Sequence, residues 1–128
     1  MGEAWIIDAC RTPRGIGKYG KGPLSKLHPQ PIKAPVLRAL AERTGMNTEE
    51  VDDIVWGTSA QVSTQSGDLG RMAALDAGYS TKSSGVTLDR FCGSGITTGH
   101  MAAACTMSGL ADRHLAGGPG ALVLPGRP

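Results

Sequence analysis

Aromatic residues are scarce in this chain, and so are long apolar runs and strongly clustered charge. Its 128 residues include two Trp, two Tyr and one Phe, and the formal net charge is only +2. Nucleic-acid binders usually show a clustered Lys/Arg face, and no basic run of that kind occurs here. No apolar stretch approaches the ~18 residues that a membrane span needs. The first expected strand begins by Ala4, which leaves no room for a charged and then apolar signal segment. Three cysteines, Cys10, Cys92 and Cys105, form an odd set without Cys-x-x-Cys spacing. That pattern argues against a disulfide framework or a zinc site and suits a reducing compartment, so a cytoplasmic location is expected. No His, Asp or Glu cluster has metal-ligand spacing, and no metal is expected. The length allows one modest core.

What is present centres on Gly85 to Gly109. Val86 to Leu88 is β-branched and apolar, the pattern of a short buried strand, with Gly85 before it. Gly93 and Gly95 permit a sharp turn and close backbone approach. From Ser94 onward, Ile96, Met101, Ala102, Ala104, Cys105 and Met107 fit a helix that Gly109 would end. Cys92 therefore falls where a strand turns into a helix. A helix start carries unpaired N–H groups and partial positive charge. Such a place lowers a cysteine's pKa below the roughly 8.5 of a free thiol, and the thiolate is the nucleophile. The same N–H groups can face an oxyanion during acyl transfer. The layout follows the logic of the hydrolase nucleophile elbow, with sulfur replacing oxygen. Read by itself, the residue is more often a small buried hydrophobe, the commoner use of free cysteine.

The run Val86 to Gly95, with Gly78 and the Ala-rich helix beyond it, resembles the nucleophilic-cysteine segment of the thiolases, the acetyl-CoA acetyltransferases and 3-ketoacyl-CoA thiolases. The family pattern there is V-N-x-x-C-x-S-G. Cys92, Ser94 and Gly95 match it, and Asp89 stands where Asn is usual. Arg11, Thr12, Pro13 and Gly15 match the family's R-T-P-x-G. Gln61 or Gln65 with Gly67, Asp68 and Arg71 resembles Q-x-x-x-G-x-N-x-x-R. The resemblance implies that Cys92 is the acyl-thioester nucleophile, with Gly93, Ser94 and Gly95 supporting its turn. It also implies that Gln65, Asp68, Arg71 and Asp89 lie near a subunit interface, full-length relatives being homo-oligomers. On the residues alone, Arg71 reads equally as a surface or capping charge.

The rest of the chain reads in order. Ala4 to Ala9 has the pattern of a buried strand that Arg11-Thr12-Pro13 ends. The Gly- and Lys-rich loop from Arg14 to Gly22 lacks the third glycine and following helix of a phosphate loop, and reads as a solvated basic loop. His28 to Pro31 reads as a connector, with Pro35 near the first position of a helix that Gly45 closes. Asn47 starts a short helical turn. Ile54 to Gly57 is a continuous buried strand. Ser66 or Asp68 caps a helix through Leu75, with Met72, Ala73 and Leu75 inward and Gly78 as its stop. The helix after Cys92 is small and weakly polar on every side, so it is expected to lie buried between layers, as in the thiolase architecture. Leu115 to Gly118 resembles the end of a further strand. Pro119 to Pro128 holds three prolines and reads as a tail outside the resemblance.

The expected fold is thus α/β, a thiolase-like β-α-β-α-β-α-β order with a mostly parallel sheet and helices on both faces. Residues 1–118 would form the first half of a thiolase N-terminal lobe. The family's G-H-P and C-x-G motifs, which activate the nucleophile and move protons, do not occur here. His100, eight residues past Cys92, would sit about 12 Å along a helix from it, beyond the reach of a base. The resemblance implies acyl-CoA acyltransfer with coenzyme A or acyl-CoA as substrate and no bound cofactor. The chain alone is expected to be inactive in turnover. A ketosynthase-type fragment and a non-catalytic structural fragment are the alternatives.

Overall fold

A computed structural model describes residues 2–16, 21–24 and 27–118. The elements run α1 (Pro29–Thr44), β1 (Asp53–Thr58), α2 (Leu69–Asp76), β2 (Ser84–Asp89), α3 (Ser94–Ser108) and β3 (His114–Gly117). The three strands form one parallel sheet in the order β2-β1-β3, with β1 at the centre. Helix and strand alternate along the chain, as the parallel α/β reading expects.

Alternation along β1 explains why helices lie on both faces. Successive side chains of a strand point to opposite sides. Trp56 faces α2, and a Cβ added at Gly70 would lie 2.6 Å from Trp56 Cβ. Gly57 faces α3, and a Cβ there would lie 2.8 Å from Ser94 Cβ. Each helix reaches the strand through a glycine, one in the helix and one in the strand. On the α2 side Leu37, Val51, Ile54, Trp56, Leu69, Ala73, Ala74 and Tyr79 form the core. The buried Tyr79 hydroxyl donates to the Leu37 carbonyl at 2.8 Å. Burial, with a smaller push from Cys10, raises its phenol to about 12.

Four expectations need correction. Residues 4–9 form no strand: Trp5, Ile6 and Ile7 are 78%, 90% and 81% exposed. An apolar run has strand propensity but is a strand only with a ladder partner, and among the described residues the sheet consists of β2, β1 and β3, none of them paired with residues 4–9. The segment is tied instead to α1, through an Asp8–Arg43 ion pair at 2.9 Å and a Cys10 thiol bond to the Val36 carbonyl at 3.4 Å. Second, α1 begins at Pro29, so Pro35 lies inside it. Pro29 and Pro31 lie in the first turn and lose nothing, since those N–H groups have no helical partner, whereas Pro35 forgoes the bond to the residue 31 carbonyl; His28 Nδ1 accepts from the Gln30 N–H at 3.2 Å. Third, α2 buries Leu69, Gly70, Ala73 and Ala74 and leaves Met72 and Leu75 largely exposed. Its contact face is chosen by the close approach to Trp56, which only small residues allow. Fourth, α3 is buried on one stripe, Ser94, Thr98 and Ala102. Ile96 and Met101 are exposed, because one sheet covers one side only.

The remaining boundaries follow the sequence. Gly45, Gly78 and Gly109 all adopt positive φ at helix ends. Asn47 caps a short turn by accepting the Glu49 N–H at 3.1 Å. Asp52 anchors the far end of the sheet, accepting the N–H groups of Arg113 and Asp112 at 3.0 and 2.8 Å. Those two bonds, first from Arg113, hold its carboxyl below the ordinary value of 3.8. Lys33 is the discordant core residue. It is 3% exposed, its Nζ has no hydrogen-bond partner, and it lies 6.0 Å from the Trp56 ring centre. Burial pushes its ammonium down to about 8. The tail from 119 onward and part of the Arg14–Gly22 loop lie outside the described residues.

Candidate active site

Strand β2 ends at Asp89, and the chain then turns sharply into α3. Arg90 has φ −136° and Phe91 φ +49°. A non-glycine residue in the left-handed region costs about 1–2 kcal/mol, so the turn persists only because its surroundings hold it. The Asp89 carboxylate accepts the Phe91 N–H at 2.8 Å. Ser94 Oγ accepts the Arg90 N–H at 2.8 Å. The Gly93 N–H reaches the Arg90 carbonyl at 3.0 Å, and Arg90 Nη1 donates to Thr97 Oγ1 at 3.1 Å. Asp89 thus acts purely as an acceptor, a role its carboxylate fills as well as an amide oxygen would.

Cys92 sits in the helical turn 91–93, two residues before α3, and is exposed. Gly93 gives α3 no side-chain cap. The helical turn 91–93 leads straight into α3, and its carbonyls take the entering donors: the Ser94 N–H bonds the Phe91 carbonyl and the Gly93 N–H the Arg90 carbonyl. Cys10 and Cys105 are half-buried, and none of the three forms a disulfide. Ser94 is buried beneath the turn, while Gly95 has open space around its Cα.

The four residues expected near an interface all have partners within the chain. Gln65 is buried and its Oε1 accepts from the Thr58 hydroxyl at 2.8 Å. Asp68 caps α2, accepting from the Arg71 N–H at 3.3 Å and from the Thr87 hydroxyl at 2.9 Å. The Arg71 guanidinium donates to the carbonyls of Ser80, Thr81 and Ser83, bracing the loop before β2. Asp89 holds the Phe91 turn as described.

The histidines do not gather at Cys92. His28 caps α1, His100 is exposed on α3, and His114 begins β3 with Nδ1 3.1 Å from Thr106 Oγ1. Among the described residues no group of three or more His, Cys, Asp or Glu is placed to hold a metal, and no helix is long and apolar enough to cross a membrane. Sequence reasoning missed Thr58 and the strain at Phe91. A hydroxyl closing an otherwise apolar buried strand was the available signal for Thr58; φ at Phe91 leaves no mark in composition.

Comparison with known proteins now gives these parts a context. The family model described as thiolase, N-terminal domain matches residues 4–122. The steroid 3-ketoacyl-CoA thiolase FadA6 of Mycobacterium tuberculosis is 41% identical over 118 residues, covering 92% of this chain and 28% of that protein. The 3-oxoadipyl-CoA/3-oxo-5,6-dehydrosuberyl-CoA thiolase of Escherichia coli is 39% identical over 119 residues, covering 92% and 29%. The crystal structure of the Bacillus anthracis acetyl-CoA acetyltransferase superposes with a TM-score of 0.71 at 32% identity, covering 80% of this chain and 25% of that one. The chain thus spans under a third of the length of these relatives. With a parallel sheet flanked by helices and a cysteine turn that these matches cover, the chain belongs to the thiolase family and corresponds to part of its N-terminal domain.

Proposed function

We propose that this chain supplies the nucleophile of a thiolase-type acyl-CoA acyltransferase, and that Cys92 is that nucleophile. The observation that carries the reading is an exposed cysteine, on a turn strained at Phe91, immediately before helix α3. The Cys92 thiolate attacks the carbonyl carbon of an acyl-CoA thioester or of a 3-ketoacyl-CoA. A new C–S bond forms. Coenzyme A thiolate leaves from the thioester, or the acetyl-CoA carbanion leaves from the 3-ketoacyl chain, and each takes up a proton. The acyl group then passes from Cys92 to coenzyme A in cleavage or to an acetyl-CoA carbanion in condensation. A covalent intermediate divides one high barrier into two lower ones.

Gly93 and Gly95 allow the backbone to turn closely, and Ser94 supports the turn from beneath. The sequence holds no G-H-P or C-x-G motif, so the chain by itself is expected to accept an acyl group and to turn over no substrate. An interface near Gln65, Asp68, Arg71 and Asp89 belongs to the same proposal. Because their polar groups are engaged within the chain, such a contact would use the surface they shape rather than free charges.

The test is labelling with acetyl-CoA or iodoacetamide, followed by mass spectrometry. Cys92 is expected to react ahead of Cys10 and Cys105, and Cys92→Ala to remove the fast adduct. Equal labelling of the three cysteines would leave the chain as a structural fragment without an activated thiol.

A further inference from the structure

The turn that carries Cys92 is fastened to the sheet at one buried point. Ser94 Oγ has a single proton, and two carbonyls compete for it: Thr58 at 3.0 Å and Phe91 at 2.7 Å. The same oxygen accepts the Arg90 N–H at 2.8 Å. Thr58 is the last residue of β1, and its own hydroxyl donates to Gln65 Oε1 at 2.8 Å. Thr58, Gln65 and Ser94 are all buried, at 0%, 2% and 4% exposure. The space at this point is closed: a Cβ on Gly57 would meet the Ser94 backbone and side chain at 2.8 Å. Buried polar groups with several partners define one geometry, because each bond lost strands its partner away from water.

These contacts sit directly beneath Phe91, whose positive φ needs outside support. The Asp89 carboxylate holds one side of the turn and the Ser94 hydroxyl the other. The geometry points to Ser94 and Thr58 as positioning residues for Cys92. Ser94 hangs the strained turn from the carbonyl that ends β1, and the Thr58–Gln65 bond fixes that strand end. Neither residue is assigned contact with substrate. The inference rests on the reading of Cys92 as the nucleophile.

The experiment measures iodoacetamide labelling rates of Cys10, Cys92 and Cys105 separately, by mass spectrometry of the full chain. The unaltered protein comes first, since equal rates there would overturn the nucleophile reading itself. Given a fast Cys92, Ser94→Ala is expected to slow it about tenfold and Thr58→Val about threefold, the scale that small misplacements produce. The rates at half-buried Cys10 and Cys105 should stay unchanged, and Thr58→Ser should restore Cys92. A purely structural role gives the opposite signature: Cys10 and Cys105 speed up as the fold loosens, while Cys92 keeps its rate. That result overturns the assignment, as does a Ser94→Ala chain that unfolds and labels all three alike.

Discussion

Two helices begin against β1, from opposite faces, and they begin differently. Helix α2 starts at a filled site. Asp68 accepts the Arg71 N–H and the Thr87 hydroxyl, and the Arg71 side chain is committed to three carbonyls. Helix α3 starts with no side-chain cap, behind a left-handed Phe91, with an exposed thiol two residues ahead. The first arrangement stabilises, because a cap satisfies donors that would otherwise face water. The second relies on the backbone of the turn before it, whose Phe91 carbonyl accepts the Ser94 N–H, and it presents an exposed cysteine where the first has a cap. The same chain thus contains one helix start held by side chains and one entered through a backbone turn that leaves a thiol exposed.

The largest effects should come from the two glycine contacts. Gly57→Ala and Gly70→Ala each insert a methyl group into space already occupied, at 2.8 and 2.6 Å from neighbouring atoms. Each should lose about 1–3 kcal/mol in denaturant unfolding, the range for overpacking. Only Gly57→Ala should also slow Cys92 labelling, because only it displaces the Ser94 end of the turn.

Next comes a change that strengthens the α2 face and leaves the α3 side alone. Lys33→Met removes a buried ammonium without a partner and should stabilise the fold at pH 7 by about 1–2 kcal/mol. Its pH dependence has a defined sign. The folded Lys33 value is about 8, down from 10.5, so between those values the unfolded chain binds more protons. Native stability therefore rises with pH across that window, and the advantage of Lys33→Met should shrink as pH climbs from 8 to 10.5. Thermal melts at three pH values would show it; a constant gap would contradict it.

Smaller shifts test the caps themselves. Asp68→Ala should cost about 1 kcal/mol, as lost caps do, with Cys92 labelling unchanged. Gly93→Asp instead sets a carboxylate beside the thiol, at a site where a Cβ has room, 3.8 Å from the Arg90 side chain. Cys92 labelling should slow about threefold, because a neighbouring negative charge disfavours the thiolate, while stability changes by less than about 0.5 kcal/mol.

Much of the α3 start could be read from residues alone. Val86 to Leu88 signalled a strand, Gly93 and Gly95 a turn, and Gly109 an end, because each of those signals is local. Residues 4–9 show where local pattern fails: their apolar run has strand propensity, but propensity does not decide which segment occupies an edge. For α2, hydropathy pointed to Met72 and Leu75 when shape required Gly70 and Ala74. Residues 28–31 read as a connector, yet α1 begins at Pro29, because a proline's effect depends on whether an N–H is needed at that place. Thr58 and Ser94 matter through bonds between residues thirty-six positions apart, a distance no window of sequence spans.

The Asp52 carboxylate, bonded to N–H groups sixty and sixty-one residues downstream, bears on how the molecule assembles. Strand β1 can gain β2 early, but its other edge waits for β3 and for the latch at Asp112 and Arg113. Closing so long a loop is entropically slow. During synthesis a nascent chain would carry an open β1 edge until residue 117 has left the ribosome. That interval is when unwanted strand pairing with a neighbouring chain competes with self-assembly.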